Sequence, residues 1–437
     1  MIPSKYQHKV ATAEEAVKVI KSGDNVYLHA NSGFPLALVE AMCNRYKELH
    51  NVNVYHLTTF HKARYAEPDM AGHFNHVALF IAGNVRKAVN EGRADFVPVF
   101  LSEIENLFIT RRIDLDVAMV HLSPPDEHGF CSYGVSNDIS KTAAENSKVI
   151  IAQINPRMPR VYGDNFIHIS KLDYIVEVDL PLDEVPMVDD NITESEKALY
   201  SKIASYISEM VEDGSTMQMG IGAIPDAVLN FLKDKKDLGI HTEMFSDGLI
   251  GLIESGVVNC EKKTFLPGKI VASFVIATKK CFDFMDNNPF IEFRPSRFVN
   301  DPFNIAKNDK MISINSSLQI DFTGQACSDS IGHKFYSGFG GQVDFIRGAS
   351  RSKGGKAILA LPATAKNGQI SRIVHTLNPG AGVTTSKADI HYVATEYGVA
   401  DLHGKTIRQR VKAMIDIAHP NFKEELEKKA FELKYLW

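Results

Sequence analysis

The densest potential chemistry in this chain of 437 residues lies between Met217 and Gly248. An apolar, strand-like run ends at a tight glycine pair, Gly220 and Gly222, after which Pro225 begins a helical pattern. The stretch closes on HTEMFSDG, with Glu243 among small and apolar neighbours. A glycine turn between strand and helix lets backbone come close to a phosphate or a thiol. A carboxylate just after the next strand is already ionised at neutral pH. It can act as a nucleophile without a partner base if it is partly desolvated and meets a reactive acyl donor such as a thioester. The plainer alternatives are a solvated loop glutamate or a helix-cap acceptor, and an ordinary strand-to-helix turn for GIGAIP. That turn is not a dinucleotide fingerprint, because Pro225 replaces the third glycine and no acidic ribose partner follows.

A second loop, SGFGGQVDF (Ser337–Phe345), places three glycines in four positions. Such a run loses much conformational freedom on ordering unless backbone must approach something. Its N–H groups can form an oxyanion hole for a tetrahedral acyl intermediate. The apolar Phe339, Val343 and Phe345 argue against a merely flexible surface loop. HLSPPDEHGF gathers His121, Asp126, Glu127 and His128, but Pro124 and Pro125 break helical spacing and no HExxH pattern occurs. A structured turn is expected there, with no metal site. KDKKD (Lys233–Asp237) reads as a solvated helix end.

These residues need elements to hold them. Thr12 with Glu15 forms a capping-box signal ahead of AEEAVKVIKSG, and Thr193 with Glu196 repeats it ahead of a longer helical stretch ending at Gly214. GDNVYLHANSGFPLALVEAM then matches GSTMQMGIGAIPDAVLNFL, with one residue of slippage before Pro35 or Pro225. The next strands match as well: YHLTTF beside IHTEMF, so that His56 faces His241 and Thr58 takes the place of Glu243. Short apolar runs alternating with helical pieces indicate largely parallel sheets. Residues 178–192 carry two prolines and five acidic residues and read as a linker. The expected architecture is α/β, with two similar open domains at 1–185 and 190–437. Only the second carries the carboxylate.

A chain of this length exceeds what one core supports, in agreement with two domains. Hydrophobic residues at 44% and charged residues at 23% are ordinary globular values, and a net charge of −5 argues against nucleic acid as the main partner. Five scattered cysteines without a CxxC pair suit reduced thiols. The first residues, MIPSKYQHKVATAEEA, lack an apolar targeting core, so a soluble, cytoplasmic protein without membrane partners is expected.

Taken together, SPPDEHGFCSYG, GIGAIPDAVL, HTEMFSDG, INSSLQIDFTGQ, GFGGQVDFIRGA, ATAKNGQISRIV and TEYGVADLHGKTIRQR resemble the acetyl-CoA hydrolase/transferase family of class I coenzyme A transferases. The resemblance covers nearly the whole chain. It implies two similar open α/β domains with the active site in the cleft between them, and Glu243 as the residue that attacks an acyl-CoA. It implies coenzyme A as a substrate with no permanently bound cofactor, a short-chain carboxylate as second substrate, and a homodimer. By the same implication Gly220, Ile221, Gly222, Ala223, Ile224, Gly338 and Lys366 contact coenzyme A, and Gly341 offers an N–H near the thioester oxygen. Asn315 is a candidate for orienting the glutamate or a substrate carboxylate, and Gln218, His29 and His56 are candidates for the acyl pocket. Hydrolysis, with water as acceptor, uses the same residues; a non-catalytic CoA-binding protein is the remote third reading.

Overall fold

Thr12 and Thr193 mark the same local event in two places. Each hydroxyl accepts from the N–H three residues on, and the glutamate there bonds back to the threonine N–H. The computed structural model describes residues 2–185, 192–220 and 222–437. The first box opens the short helix Ala13–Ala16, and the second opens Glu194–Met210, which stops four residues short of Gly214.

Each box leads into a strand that lies inside a sheet. In the first unit these are β1 (Asn25–Leu28), β2 (Val52–His56), β3 (Phe74–Ala78), β4 (Ala94–Phe96), β5 (Val117–Leu122), β6 (Val149–Ile154) and β7 (Tyr174–Glu177). Their spatial order is β7-β6-β5-β1-β2-β3-β4, and every pairing is parallel. Parallel strands are usually covered on both faces, and β5 is buried at every position. Val26, Leu28, Val52, Val54, Val117 and Met119 form the middle of the core, with Leu38 and Met42 of the helix Leu36–Asn44 packed into it.

The second unit has β8 (Thr216–Met219), β9 (Gly239–Ile240), β10 (Met311–Ser316), β11 (Lys356–Ala360), β12 (Tyr392–Thr395) and β13 (Gly398–Asp401). Their order is β9-β8-β10-β11-β12-β13, parallel except for the last pair. The repeat read from sequence therefore has a topological counterpart. β1 lies between β2 and β5, as β8 lies between β9 and β10. Both central strands run through a turn into a helix, Leu36–Asn44 or Ala223–Asn230. Pro225 sits in the first turn of its helix, where its missing N–H has no helical acceptor to serve.

The two-domain division needs one correction. The first unit ends its main segment at Val185 but also takes in Met244–Asp247 and Ile270–Val299, so the second unit is not a continuous 190–437 block. Pairing explains the return: Ile270–Ala272 pairs with Ile291–Phe293, which pairs with Tyr162–Gly163, and Met244–Phe245 pairs with Phe274–Val275. The glycine-rich loop is also shorter than expected, because Gln342–Arg351 is helical and buries Val343, Phe345, Ile346 and Ala349 on one face. The expected linker lies partly outside the described residues.

Candidate active site

In the second unit, β9, β8 and β10 are neighbours, and their carboxyl ends present Glu243, Gly220 and Asn315 within a few residues of each strand. The backbone bonds continue past the assigned strands: His241 N–H donates to the Met217 carbonyl at 3.1 Å, and Gly220 N–H to that of Ile314 at 3.3 Å. Ligands bind at this end of open α/β sheets. The Thr242 hydroxyl, on the Met219 carbonyl at 3.3 Å, further ties down the residue before the glutamate.

Glu243 Oε2 accepts from Asn300 Nδ2 at 3.0 Å. The Gly341 N–H also bonds this carboxylate. Gly341 is the N-cap of Gln342–Arg351, so the carboxylate sits where a helix start favours negative charge. The glycine is required by space: a Cβ at position 341 would overlap both Glu243 Oε2 and Asn300 Nδ2. Burial pushes the Glu243 carboxyl up to about 7, while the Asn300 and Gly341 bonds pull the other way. The residue keeps part of its surface exposed, which tempers that rise and leaves a way in for a reactant.

Gln218 and Asn315 meet as a reciprocal amide pair. Asn315 Nδ2 donates to Gln218 Oε1 at 3.1 Å, Gln218 Nε2 returns a longer bond of 3.4 Å, and Asn315 Nδ2 also reaches Ser313 Oγ at 2.9 Å. Gly220 and Gly222 bracket the turn after β8. Gly222 has φ +119°, a conformation side chains rarely adopt, and nothing lies within 4 Å of where its Cβ would be. Ala223 and Ile224 start the helix, and Ile224 is buried. Ile221 lies outside the described residues. Gly338 is buried ahead of the helix start at Gly341, and Lys366 stands exposed on a separate hairpin, Thr364–Ala365 with Ile370–Ser371.

His29 and His56 fall elsewhere. Both are fully buried in the first unit. His29 Nε2 bonds the Ser136 carbonyl and its Nδ1 accepts from His121 N–H at 3.0 Å, while His56 Nε2 meets the Tyr65 hydroxyl at 2.6 Å. Burial holds both rings below the ordinary imidazole value. Their hydrogen bonding and lack of surface place both rings in the interior of that unit. Asn300 is the partner of the candidate carboxylate that sequence reasoning missed. It lies 57 positions from Glu243, in a segment notable only for its aromatic and proline content, and no motif announces it. HLSPPDEHGF is indeed a turn, in which Asp126 Oδ1 accepts from the His128 and Phe130 N–H groups.

The acetyl-CoA hydrolase/transferase N-terminal domain profile matches residues 2–188, and the C-terminal domain profile of the same family matches 277–430. The chain belongs to the acetyl-CoA hydrolase/transferase family. It is 51% identical over 421 residues to the 4-hydroxybutyrate coenzyme A transferase of Clostridium kluyveri, covering 96% of this chain and 97% of that one. It is 44% identical over 436 residues to the succinyl-CoA:acetate/propanoyl-CoA:succinate CoA transferase of Fasciola hepatica, covering 99% and 89%. The crystal structure of 4-hydroxybutyrate CoA-transferase from Porphyromonas gingivalis superposes with a TM-score of 0.83 at 41% identity, covering 98% of this chain and 99% of that one. This member of the family is a CoA-transferase enzyme. Among the described residues of the CoA-transferase, no helix is long and apolar enough to cross a membrane, and no group of three or more His, Cys, Asp and Glu side chains could hold a metal ion.

Proposed function

We propose that this CoA-transferase moves coenzyme A between an acyl-CoA and a short-chain carboxylate, with acetyl-CoA and 4-hydroxybutyrate or butyrate as the substrate pair, through a thioester on Glu243. The observation that carries the reading is the carboxylate held by the Asn300 amide at 3.0 Å and by the Gly341 N–H. A carboxylate held by two donors and only partly hydrated is a preorganised nucleophile. One of its oxygens attacks the acyl carbonyl, the C–S bond breaks, and a mixed anhydride and CoA thiolate result. The thiolate then attacks the glutamyl carbonyl and expels the first acid, leaving glutamyl-CoA. During that attack negative charge grows on the glutamyl oxygen, where the Asn300 and Gly341 donors already point. The acceptor acid reverses both steps and leaves as the new acyl-CoA.

Gly220, Gly222, Ala223, Ile224 and Gly338 are proposed to approach coenzyme A through backbone, Lys366 through its ammonium, and the Gln218–Asn315 pair to face the acyl group or carboxylate. The family resemblance supports a homodimer working in the cytoplasm. The decisive experiment is incubation with acetyl-CoA alone, followed by mass spectrometry of the peptide bearing Glu243. A CoA adduct there is expected. An unmodified peptide alongside continuing acetyl-CoA loss would replace this reading with direct hydrolysis.

A further inference from the structure

β9 is the outermost strand of its sheet and only two residues long, yet Glu243 follows it by three positions. Gly239 and His241 spend their backbone groups on β8, through bonds to Ser215 and Met217. Because successive strand residues point their N–H and C=O groups to opposite sides, Ile240 directs its own pair away from β8, toward the sheet's open side. An edge of this kind exposes unpaired groups. Backbone covers that side only as far as Leu238, whose N–H donates to the Val257 carbonyl at 2.9 Å and whose carbonyl accepts from Asn259 N–H at 3.2 Å; at Ile240 side chains take over. Lys263 Nζ donates to the Ile240 carbonyl at 3.0 Å and to the Lys269 carbonyl at 2.8 Å. On the same side the Ile240 N–H bonds the Cys260 thiol.

Lys263 is an unusual lysine, 3% exposed. Taking an ammonium out of water is costly unless acceptors surround it, and a sequence placing it in EKKTF gives no reason to expect such burial. Its stem occupies the room left by Gly239, where any Cβ would overlap Lys263 Cγ. The donors on the Glu243 carboxyl are Asn300 and Gly341, so Lys263 reaches that group through backbone and not through its charge.

We propose that Lys263 is a positioning residue for the catalytic carboxylate: its ammonium clamps the Ile240 carbonyl and so fixes the strand end from which Glu243 projects. The proposal rests on the reading of Glu243 as nucleophile. Lys263→Met keeps the stem and removes the donors. Misplacing a reacting group by about 1 Å can cost on the order of a hundredfold, so the expected result is a tenfold to hundredfold slower formation of the Glu243–CoA adduct per folded site, on the order given by that misplacement. KM for acyl-CoA should stay within about twofold, since a clamp that acts only through the nucleophile leaves ground-state binding alone. Amide exchange of His241–Glu243 should quicken while that of Met217–Met219 does not. Lys263→Gln, whose shorter amide reaches at most one of the two carbonyls, should fall between wild type and Lys263→Met.

An adduct rate per folded site equal to wild type, with unchanged exchange at His241–Glu243, overturns the proposal. If Lys263→Met does not fold, a wild-type rate in Lys263→Gln overturns it equally. Absence of any adduct in the wild-type enzyme would instead sink the nucleophile reading, and the exchange measurement then still decides the clamp.

Discussion

The two units of this enzyme reach the same point in their topology and finish it differently. After β1, Asn31 turns the chain with φ +54°, and its Nδ2 bonds Ser136 Oγ at 3.0 Å and Asp138 Oδ2 at 3.1 Å. Its Oδ1 accepts from Thr58, the residue that stands where the second unit has Glu243. Asp138 is in turn satisfied by Ser136 Oγ at 2.6 Å and Ser140 N–H at 2.8 Å, and the cluster around it is buried. After β8 the turn is flanked by Gly220 and Gly222, nothing lies within 4 Å of where a Gly222 Cβ would be, and the acidic residue keeps part of its surface exposed. Short side chains bonding one another close a strand end. Glycines and one half-buried carboxylate, held by one side-chain donor and one backbone donor, leave the other less filled, as the proposed nucleophile role requires.

The largest effect should come from removing the group that breaks the symmetry. Glu243→Ala is expected to lower transferase turnover by about a thousandfold or more, as loss of a covalent nucleophile does, with no CoA adduct. Retention of more than a few per cent of activity would show that the two strand ends differ for some other reason. Gly341→Ala comes next. Its Cβ would overlap Glu243 Oε2 and Asn300 Nδ2, and such overpacking costs about 1–3 kcal/mol, so a loss of roughly a hundredfold in kcat is expected if that cost falls on the aligned carboxylate. A near-normal rate would mean that the glycine loop yields more easily than its geometry indicates.

Much of this comparison was legible in the sequence, because it rests on local signals. The capping boxes at Thr12 and Thr193, the strands after them and the Pro-opened helices are each written within a dozen residues. So is the replacement of Glu243 by Thr58. What was not legible depends on contacts made by folding. Asn300 reaches Glu243 across 57 positions. Lys263 looks like a surface lysine until its burial and the space above Gly239 are seen. His56 pairs with His241 in the alignment of the repeat, and sequence gave no warning that Tyr65 takes up its ring nitrogen. The helix Gln342–Arg351 was hidden by the glycines before it, although its buried Val343, Phe345, Ile346 and Ala349 follow helical spacing.

Asn300 offers a finer probe of how the second unit holds its carboxylate. Its bond lowers the Glu243 pKa, which burial has raised to about 7. Wild-type kcat/KM should therefore rise with pH toward neutrality as the carboxylate forms. Asn300→Ala should lower the plateau roughly tenfold, the scale of one lost charge-assisted bond, and move the rising limb to higher pH. A limb that stays in place while the plateau falls would mean that Asn300 orients the group without stabilising its anion.

The smallest expected effect concerns stability, and it tests whether the closed network has its own acid limit. His29, His56, His76 and His121 are buried in the first unit with their pKa values depressed by desolvation, His76 to about 4 and His121 to about 3. A depressed imidazole is neutral when folded, whereas the unfolded chain takes up a proton below the ordinary value. Stability from these groups is therefore full above about 6.5 and is lost as pH falls from there toward the folded values. Glu105 in the same unit and Glu243 in the second have the opposite sign. Burial raises each carboxyl to about 7, so acidification from neutrality toward the ordinary carboxyl value favours their folded forms. In the first unit these four histidines outnumber the three groups whose raised values act in the opposite sense, Glu105, Asp24 and His61, and its β2 and β3 amides should lose exchange protection on mild acidification before those of β8 and β10. Each proton contributes roughly 1.4 kcal/mol per pH unit. His76→Leu removes one such proton and also the buried Nε2 that has no partner among the described residues. It should flatten the acid dependence of β2 and β3 exchange by about one proton's worth while leaving the pH limb of catalysis unchanged. Equal flattening in β8 and β10 would show that the two units open together, and the contrast drawn from their strand ends would then hold for chemistry but not for stability.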